Sequence, residues 1–447
     1  MQKTSPQRKM QSNRIQYSDA KVRCFFRRHK TNSLAQKLGA SKRKYRKFSA
    51  VDIILSYWQL LSTGEFSYDK WAIQIGLLTN KAISGQALWK RLGKEMTELL
   101  KVLLHKSFQQ KYNTFLSPAV FDYFTNVYIQ DATHFSLPRV MSSIFPGSYS
   151  RFGESATAKI QAIFNIRSGL FAGFNLASFR DNDQKDSARI IGQLQEKDLV
   201  IRDLGYFVLS AFSKIIRKKA FFLSRFRYGV CLLDIQTGNP LDLHKLVKNK
   251  NGAIDMQVKL GKKEGITCRL IAVAVPQQVA NERRRKAKND RNKTANHKKG
   301  YMELLGYTIF ITNVPDQIWD IEQVVKAYRA RWYIEILFKS WKSNLKIKNN
   351  IPERYITPTR AEFFFYASLL MVNILVLPVF VDAFNKGLAQ GKYISILKTC
   401  AFISVNIILF IQNSDPKSLI KSILQSCQYE SRRRRINAIE YLINTNP

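Results

Sequence analysis

The segment KAYRARWYIEILFKSWKSNLKI, residues 326–347, decides how this chain is interpreted. It contains neither proline nor glycine, so the sequence predicts one continuous helix over these residues. With about 100° per residue, four polar residues fall within an arc of about 60° on that helix: Tyr328, Arg331, Glu335 and Lys342. An apolar stripe lies beside the arc and comprises Ile334, Leu337, Phe338, Trp341 and Leu345. A surface helix whose charges pair four residues apart gives a similar pattern, so other segments have to distinguish the two.

Two aspartates upstream each end a predicted strand. Asp131 ends VYIQD (127–131), and Asp203 ends DLVIRD (198–203). A carboxylate at the C-terminal end of a strand lies where the sites of α/β proteins commonly form, although either aspartate alone would more often be a cap or turn residue. Together with Glu335 they make a set of hard oxygen ligands suited to Mg²⁺, for which Mn²⁺ would substitute.

These residues carry a family resemblance. The spacing Tyr-x2-Arg-x3-Glu-x6-Lys, met by the four residues of the polar arc, resembles the YREK signature of the insertion-sequence-four family of bacterial transposases. DAT at 131–133 with LP at 137–138 is similar to that family's first-aspartate motif, and DLGYF at 203–207 to its second. The resemblance covers roughly residues 67–350.

The resemblance implies a multidomain α/β protein with a ribonuclease H-like core, interrupted by a β-rich insertion. It implies a DDE transposase that binds terminal inverted repeats, cleaves the element ends and joins the 3′-OH to target DNA. Asp131, Asp203 and Glu335 would be both catalytic residues and metal ligands, with Asp131 bridging two Mg²⁺ ions. Pairing of two ends implies a homodimer in the synaptic DNA complex.

Three of the YREK residues are expected to bind DNA. Arg331 and Lys342 would hold phosphates next to the scissile bond, with the arginine suited to bidentate contact, and Tyr328 would donate a hydrogen bond to the same backbone. Packing of Tyr328 and pairing of Arg331 with Glu335 is the structural alternative. Trp319 and Tyr307 are candidates, by residue type only, for holding a flipped base. His134 is left out of the metal site because hard cations prefer oxygen.

The charge of the chain is strongly basic. Lys and Arg number 72 against 32 Asp and Glu, a formal net charge of +40. Nucleic acid is the leading partner for such a charge, and an anionic membrane surface is the alternative. Two apolar stretches, 363–381 and 393–411, contain central polar residues and are predicted to be buried helices. Five scattered cysteines favour a reducing cytosol, and the polar N-terminus predicts no secretory signal. The resemblance to bacterial transposases implies a cytoplasmic, nucleoid-associated bacterial protein.

Composition and periodicity also predict the domain order. The predicted parts are a basic arm (1–50), a helical DNA-binding domain (51–115), the first part of the core (116–227), the β-rich insertion (228–312), the second part of the core (313–355) and a helical C-terminal region (356–447). RRRR at 432–435 is predicted to be exposed.

Two segments with a basic character have open interpretations. Residues 67–107 resemble a helix-turn-helix, with a turn at Gly76 and a second helix after Ser84-Gly85 that would offer Gln86, Lys90 and Arg91 to a groove; any small helical bundle gives a similar pattern. Residues 282–299 carry nine Lys or Arg and form either a solvated loop or a loop that follows phosphates.

Two rival functions remain from sequence. One is a catalytically inactive, transposase-derived DNA-binding protein, and the presence of all four YREK residues and both aspartates disfavours it. The other is a non-transposing DDE nuclease, which the long insertion disfavours.

Overall fold

A computed structural model describes residues 22–41, 48–110, 115, 118–151, 153–249, 252–290, 299–352, 356–412 and 415–430. The described residues fall into two compact units. Unit 1 takes its residues from Met1–Ser117, Ala132–Asp181 and Trp332–Asn444, and unit 2 takes its residues from Pro118–Asp131 and Asn182–Arg331. Each unit is therefore assembled from separated stretches of chain. The basic residues at 42–47 and the RRRR at 432–435 lie outside the described residues.

The described α-helices, in chain order, are α1 (Val22–Arg28), α2 (Thr31–Lys37), α3 (Ala50–Leu61), α4 (Tyr68–Thr79), α5 (Gly85–Trp89), α6 (Lys94–Phe108), α7 (Asp183–Asp186), α8 (Leu209–Arg217), α9 (Leu243–Asn249), α10 (Gln277–Lys288), α11 (Lys299–Leu304), α12 (Ile321–Arg329), α13 (Trp332–Ser343), α14 (Pro358–Met371), α15 (Leu377–Leu388), α16 (Ile396–Val405), α17 (Ile407–Ile411) and α18 (Pro416–Ser426). The described strands are β1 (Val127–Leu137), β2 (Pro146–Ser150), β3 (Gly153–Asn165), β4 (Leu170–Ser178), β5 (Leu199–Arg202), β6 (Phe221–Arg225), β7 (Leu232–Asp234), β8 (Ile254–Leu260), β9 (Ile266–Ala274) and β10 (Tyr307–Thr312). Unit 1 holds α1–α6, β2–β4 and α13–α18, and unit 2 holds α7–α12 and β5–β10, while β1 begins in unit 2 and ends in unit 1.

The N-terminal half of unit 1 is helical, as predicted for residues 51–108. The turn of the predicted helix-turn-helix is misplaced, however, because Gly76 lies inside α4, which ends at Asn80 in the left-handed conformation with φ 55°. The Ser84 hydroxyl caps α5, a helix of only five residues. Within the predicted basic arm, α1 and α2 are folded and bury residues such as Phe25.

The most apolar part of unit 1 is a helical run from Pro358 to Leu388, formed by α14, a π-helical turn (Val372–Val376) and α15. Its length and hydropathy would allow it to cross a membrane, but 94% of its most apolar window is buried inside the protein. The Asn373 amide, in the π turn, accepts from the Phe171 backbone N–H at 3.0 Å and donates to the Ser107 hydroxyl at 2.9 Å. A polar group so fully satisfied inside the protein is typical of a buried core helix, as predicted.

The apolar stripe predicted from sequence on α13 is buried inside unit 1, together with Tyr333. The Tyr333 ring lies 5.7 Å from Phe115 and 5.5 Å from Phe164, and the Trp341 ring lies 5.0 Å from Phe171. Helix α16, from the C-terminal region, packs directly against α13. The C-terminal region therefore supports the helix that carries Glu335, a role that its sequence did not indicate.

The sheet in unit 2 is mixed. Strands β1, β5 and β6 are parallel neighbours, with Gln130 opposite Arg202 and Arg202 opposite Ser224. Helix α8 connects β5 to β6, as predicted. Strand β10 then pairs antiparallel with β6 on one side and β9 on the other, followed by β8 and β7. The predicted insertion is strand-rich, but it is not a separate sheet, because β10 joins its strands to β6.

The predicted continuous helix over 326–347 is wrong. Helix α12 ends at Arg329, and α13 begins at Trp332. The Ala330 and Arg331 amides each donate to the carbonyl three residues back, which closes α12 with a tightened last turn. No residue type in the segment forbids a helix, so tertiary contacts of Arg331, described below, override the local preference.

Candidate active site

Asp131 and Asp203 lie at matching positions on two neighbouring parallel strands. Gln130 and Arg202 form the last paired position of β1 and β5, and each aspartate is the next residue. Paired positions on adjacent strands are about 5 Å apart, so the two carboxylates leave the sheet side by side. The prediction that Asp131 ends its strand is wrong, because β1 continues to Leu137 with alternating buried and exposed residues.

The turn after Asp203 lies next to Asp183, which adds a further acidic group to this corner of unit 2. Asp203 begins a short 3-10 turn, Leu204–Tyr206. A Cβ on Gly205 would lie 3.2 Å from a carboxylate oxygen of Asp183, so only glycine fits there without displacing that side chain. Burial, followed by the charges of Asp183 and Asp131, raises the pKa of the Tyr206 phenol far above its ordinary value. This corner of unit 2 therefore carries concentrated negative charge.

Arg331 neutralises part of that charge. Its Nη1 donates to Oδ2 of Asp131 at 3.0 Å, and the two side chains are only 8% and 17% exposed. A guanidinium with so little access to water contributes strongly to the local field. Asp131 and Arg331 are 200 residues apart in sequence, and the structure brings them together within unit 2.

Tyr328 engages the second aspartate. Its hydroxyl donates to Oδ1 of Asp203 at 3.3 Å, and its ring packs 5.1 Å from that of Phe310. Burial, and then the charge of Asp203, raises the pKa of Tyr328 far above its ordinary value, while Arg331 and Arg225 act in the opposite direction. The phenol therefore keeps its proton and remains a hydrogen-bond donor at neutral pH.

Arg225 is a site residue that the sequence interpretation missed. Ser224 is paired with Arg202, so Arg225 follows at the position beside Asp203 on the third parallel strand. Its positive charge also opposes the rise in the pKa of Tyr328. A signal similar to the one that identified Asp203 is present in sequence, because Arg225 is the last residue but one of the predicted strand AFFLSRF (220–226).

A polar layer lies on the opposite face of the same strands, because side chains alternate along a strand. Arg202 is completely buried, and its Nη2 donates to the Ser187 carbonyl at 2.5 Å. Gln130 donates to the Asp186 carbonyl at 2.8 Å. Burial lowers the pKa of Arg202 to about 10, so the guanidinium is still charged at neutral pH. These hydrogen bonds hold the segment around α7 against the face of the strands that is opposite the two aspartates.

Glu335 and Lys342 both lie on α13, in unit 1. Glu335 is in the first turn and is half-buried, and Lys342 is exposed near the C-terminal end. The Lys342 ammonium lies 5.6 Å from the centre of the Phe135 ring, and partial burial lowers its pKa. Because α12 and α13 are separate helices, the single polar arc predicted for the four YREK residues does not exist.

The carboxylates of the site can be compared with the ligands that a divalent metal ion prefers. Asp131 and Asp203 supply side-by-side carboxylates, which are the ligands that hard divalent cations prefer. The Arg331 guanidinium lies on Oδ2 of Asp131, where its positive charge opposes the binding of a second cation at the same oxygen. Within the described part of the chain, no group of three His, Cys, Asp or Glu side chains is assembled closely enough to hold a metal ion.

Three other residues singled out from sequence can now be placed. The Trp319 indole is 1% exposed and donates to the Val120 carbonyl at 2.7 Å, so it is a core residue and is wrong as a candidate for holding a flipped base. Tyr307 is half-buried in β10, where its carbonyl accepts from Arg283. His134 is exposed, with its ring 5.0 Å from that of Phe179.

Comparison with known proteins identifies the family to which the chain belongs. The transposase DDE domain family matches residues 122–374, which is more than half of the chain. The chain therefore belongs to the DDE transposase family. It is a DNA transposase, an enzyme that cleaves DNA and transfers strands, and enzymes of this family generally use divalent metal ions and are normally soluble.

Individual transposases are similar to this chain over most of its length. The transposase for insertion sequence element IS231B of Bacillus thuringiensis subsp. berliner is 29% identical over 374 residues, covering 78% of this chain and 77% of the relative. The transposase for insertion sequence element IS1151 of Clostridium perfringens is 26% identical over 300 residues, covering 62% and 63%. A piggyBac transposase, solved in a synaptic complex with hairpin DNA, aligns with a TM-score of 0.42 at 10% identity, over 88% of this chain and 77% of that one.

Proposed function

We propose that this transposase is of the insertion-sequence-four, YREK type, and that Asp131, Asp203 and Glu335 are its catalytic carboxylates. The observation that carries the proposal is the pair of aspartates at matching positions on β1 and β5, with Arg331 bound to one and Tyr328 to the other. Parallel strands β1, β5 and β6 with carboxylates beyond two of them support a ribonuclease H-like core.

The proposed metal is Mg²⁺, with Mn²⁺ as a substitute. Asp131 and Asp203 would hold it through their carboxylates, and Glu335 is the proposed third ligand. When bound, such ions make a nucleophilic oxygen available at neutral pH and stabilise the leaving oxygen. No side chain in unit 2 needs to act as a general base in this proposal.

The cationic residues of the site have a distinct role. Arg331 and Arg225 place two guanidinium groups near the carboxylates, where they can bind the phosphates on either side of the scissile bond. Tyr328, held neutral, can donate its hydroxyl hydrogen to a phosphate oxygen. Lys342, exposed on α13, is the proposed fourth contact, and its lysine ammonium acts as a point charge rather than a bidentate clamp.

The reaction follows from these groups. Hydrolysis of a phosphodiester at each element end frees a 3′-OH, and that hydroxyl then attacks target DNA, so one phosphodiester is broken as another forms. We assign recognition of the terminal inverted repeats to α3–α6, where Gln86 and Lys90 are exposed on and beside α5. Arg91 packs its guanidinium 4.3 Å from the Phe48 ring and is a poorer candidate for base contact. The proposed synaptic complex contains two copies of the chain, associated with the nucleoid.

The test uses the full chain and the DNA that flanks its gene, searched for inverted repeats. In Mg²⁺ the wild-type protein should nick labelled repeat ends and join them to a plasmid. Asp131→Asn, Asp203→Asn and Glu335→Gln should bind the ends and leave them intact, whereas Asp316→Asn, which removes an exposed carboxylate of unit 2, should act like wild type. Normal nicking by any of the first three variants would refute the assignment of that residue as catalytic.

A further inference from the structure

Helix α10 joins the antiparallel neighbours β9 and β10 and is unusually basic. Five of its last six residues, 283–288, are Lys or Arg. The segment is a helix up to Lys288, whereas the sequence indicated a loop from residue 282, and residues 291–298 lie outside the described residues. The proposed active site uses none of these cations, so their role needs a separate account.

Two of the arginines are structural anchors. Arg283 donates from Nη1 to the Tyr307 carbonyl at 3.0 Å and from Nη2 to the Thr308 hydroxyl at 3.1 Å, both in β10. Arg284 donates from Nε to the Met302 carbonyl of α11 at 3.0 Å. Because these groups point toward the protein, they fix α10 against its own unit. Their guanidinium groups are used internally and are only half-exposed.

The other cations face outward. With 100° per residue, Gln278, Asn281, Arg285 and Lys288 fall within an arc of about 80°, and all four are exposed. Lys286 lies off this arc and is paired with Glu282 at 2.8 Å. The arc covers ten residue steps, which is about 15 Å along the helix. One face of α10 therefore combines neutral amides with two outward-facing cations.

We propose that this face of α10 is a second DNA-binding surface, in which Arg285 and Lys288 contact backbone phosphates of a duplex outside the cleavage site. The inference rests on the proposed function, since it needs an enzyme that holds a length of duplex. A helix face of about 15 Å matches about four phosphates of one strand at 3.4 Å each. An anchored helix also loses little conformational freedom on binding, unlike a mobile basic loop.

The salt dependence of binding tests the proposal without chemistry. The full chain and the variant Arg285→Gln/Lys288→Gln are titrated with a random-sequence DNA duplex in the absence of divalent metal, from about 50 to about 200 mM salt. Each lost phosphate contact lowers the slope of log K against log salt by about 0.9, so the double variant should lose about 1.8. Both residues are exposed, so the fold should be unaffected.

A matched control removes the same charge elsewhere in unit 2. Lys262→Gln/Lys263→Gln changes two exposed lysines in the turn between β8 and β9 and should leave the slope nearly unchanged. An equal loss in both double variants would show a general effect of net charge and would overturn the proposal. So would an unchanged slope in Arg285→Gln/Lys288→Gln. If that variant instead lost only binding to phosphatidylserine vesicles, the surface would be a membrane contact and the proposal would be wrong.

A third variant tests the anchoring. Thr308→Val removes one hydrogen bond to Arg283 and changes no charge, so a smaller slope than wild type is expected if the position of α10 matters. A slope equal to that of wild type would refute the anchoring step. A wild-type protein that does not cleave repeat ends would refute the proposed function, independently of the result for the α10 surface.

Discussion

Replacing Arg331 by methionine should increase the affinity of the protein for Mn²⁺ while weakening its affinity for DNA. The Arg331 guanidinium donates to Oδ2 of Asp131 at 3.0 Å. A metal that uses the same oxygen must displace this group or tolerate its charge. Methionine keeps the length and apolar stem of arginine, so it removes the competitor with little loss of packing.

The magnitude follows from the burial of the pair. The side chains of Arg331 and Asp131 are 8% and 17% exposed, so solvent screens their interaction only weakly. A hydrogen bond between charged groups contributes about 1.5–3 kcal/mol. At about 1.4 kcal/mol per decade, loss of that competition should tighten Mn²⁺ binding about 10- to 100-fold. The metal-free variant should also unfold more easily, because Asp131 is left buried without its cation.

Isothermal calorimetry of the DNA-free protein measures the Mn²⁺ affinity directly. Arg217→Gln, on the exposed face of α8, removes the same unit of charge at a position that makes no described contact with Asp131, and should change the affinity little. Unchanged or weaker Mn²⁺ binding by Arg331→Met would refute the view that the guanidinium and the metal share one carboxylate. An equal gain in Arg217→Gln would attribute the effect to net charge alone.

Three further predictions concern stability. Asn373→Leu should lower the free energy of unfolding by about 3 kcal/mol or more, since the backbone of Phe171 loses its buried partner, and urea titration would show it. Arg269→Met should cost about 2–3 kcal/mol in the same assay, because the buried carbonyls of Val314 and Trp319 lose their donor; an unchanged midpoint would contradict either estimate. Burial raises the pKa of Tyr57 and Tyr333 well above the ordinary 10.0, so above that pH only the unfolded chain ionises them. Stability should therefore fall by up to about 1.4 kcal/mol per pH unit for each tyrosine, and titrations that show no loss up to about pH 11 would contradict this.

Periodicity predicted the elements of the site well where local sequence determines structure. The strands around Asp131 and Asp203 and the apolar stripe of α13 are present, because alternation and three-to-four spacing report which face of an element is buried. The buried helix at 358–388 was also predictable, since its central Asn373 would be costly in lipid.

Tertiary contacts explain what the sequence could not show. The break at Ala330 and Arg331 has no local cause, and it coincides with an ion pair between residues 200 positions apart. Strand order likewise depends on pairing, so neither the union of β10 with β6 nor the alignment of Arg225 with Asp203 could be read from the residues. Trp319 is buried against the Phe124 ring, where its indole donates to the Val120 carbonyl, and no motif encodes that placement.

Exchange of each proposed carboxylate for a thiol tests the central claim most directly, because it asks whether the side chain itself holds the metal. Mn²⁺ accepts softer ligands than Mg²⁺ does, so a cysteine at a metal position should fail with one ion and function with the other. Asp131→Cys, Asp203→Cys and Glu335→Cys should not nick repeat ends in Mg²⁺ and should recover nicking in Mn²⁺, while the corresponding serine variants recover in neither. Full nicking in Mg²⁺ by a cysteine variant, or equal recovery by cysteine and serine in Mn²⁺, would contradict assignment of that residue as a metal ligand.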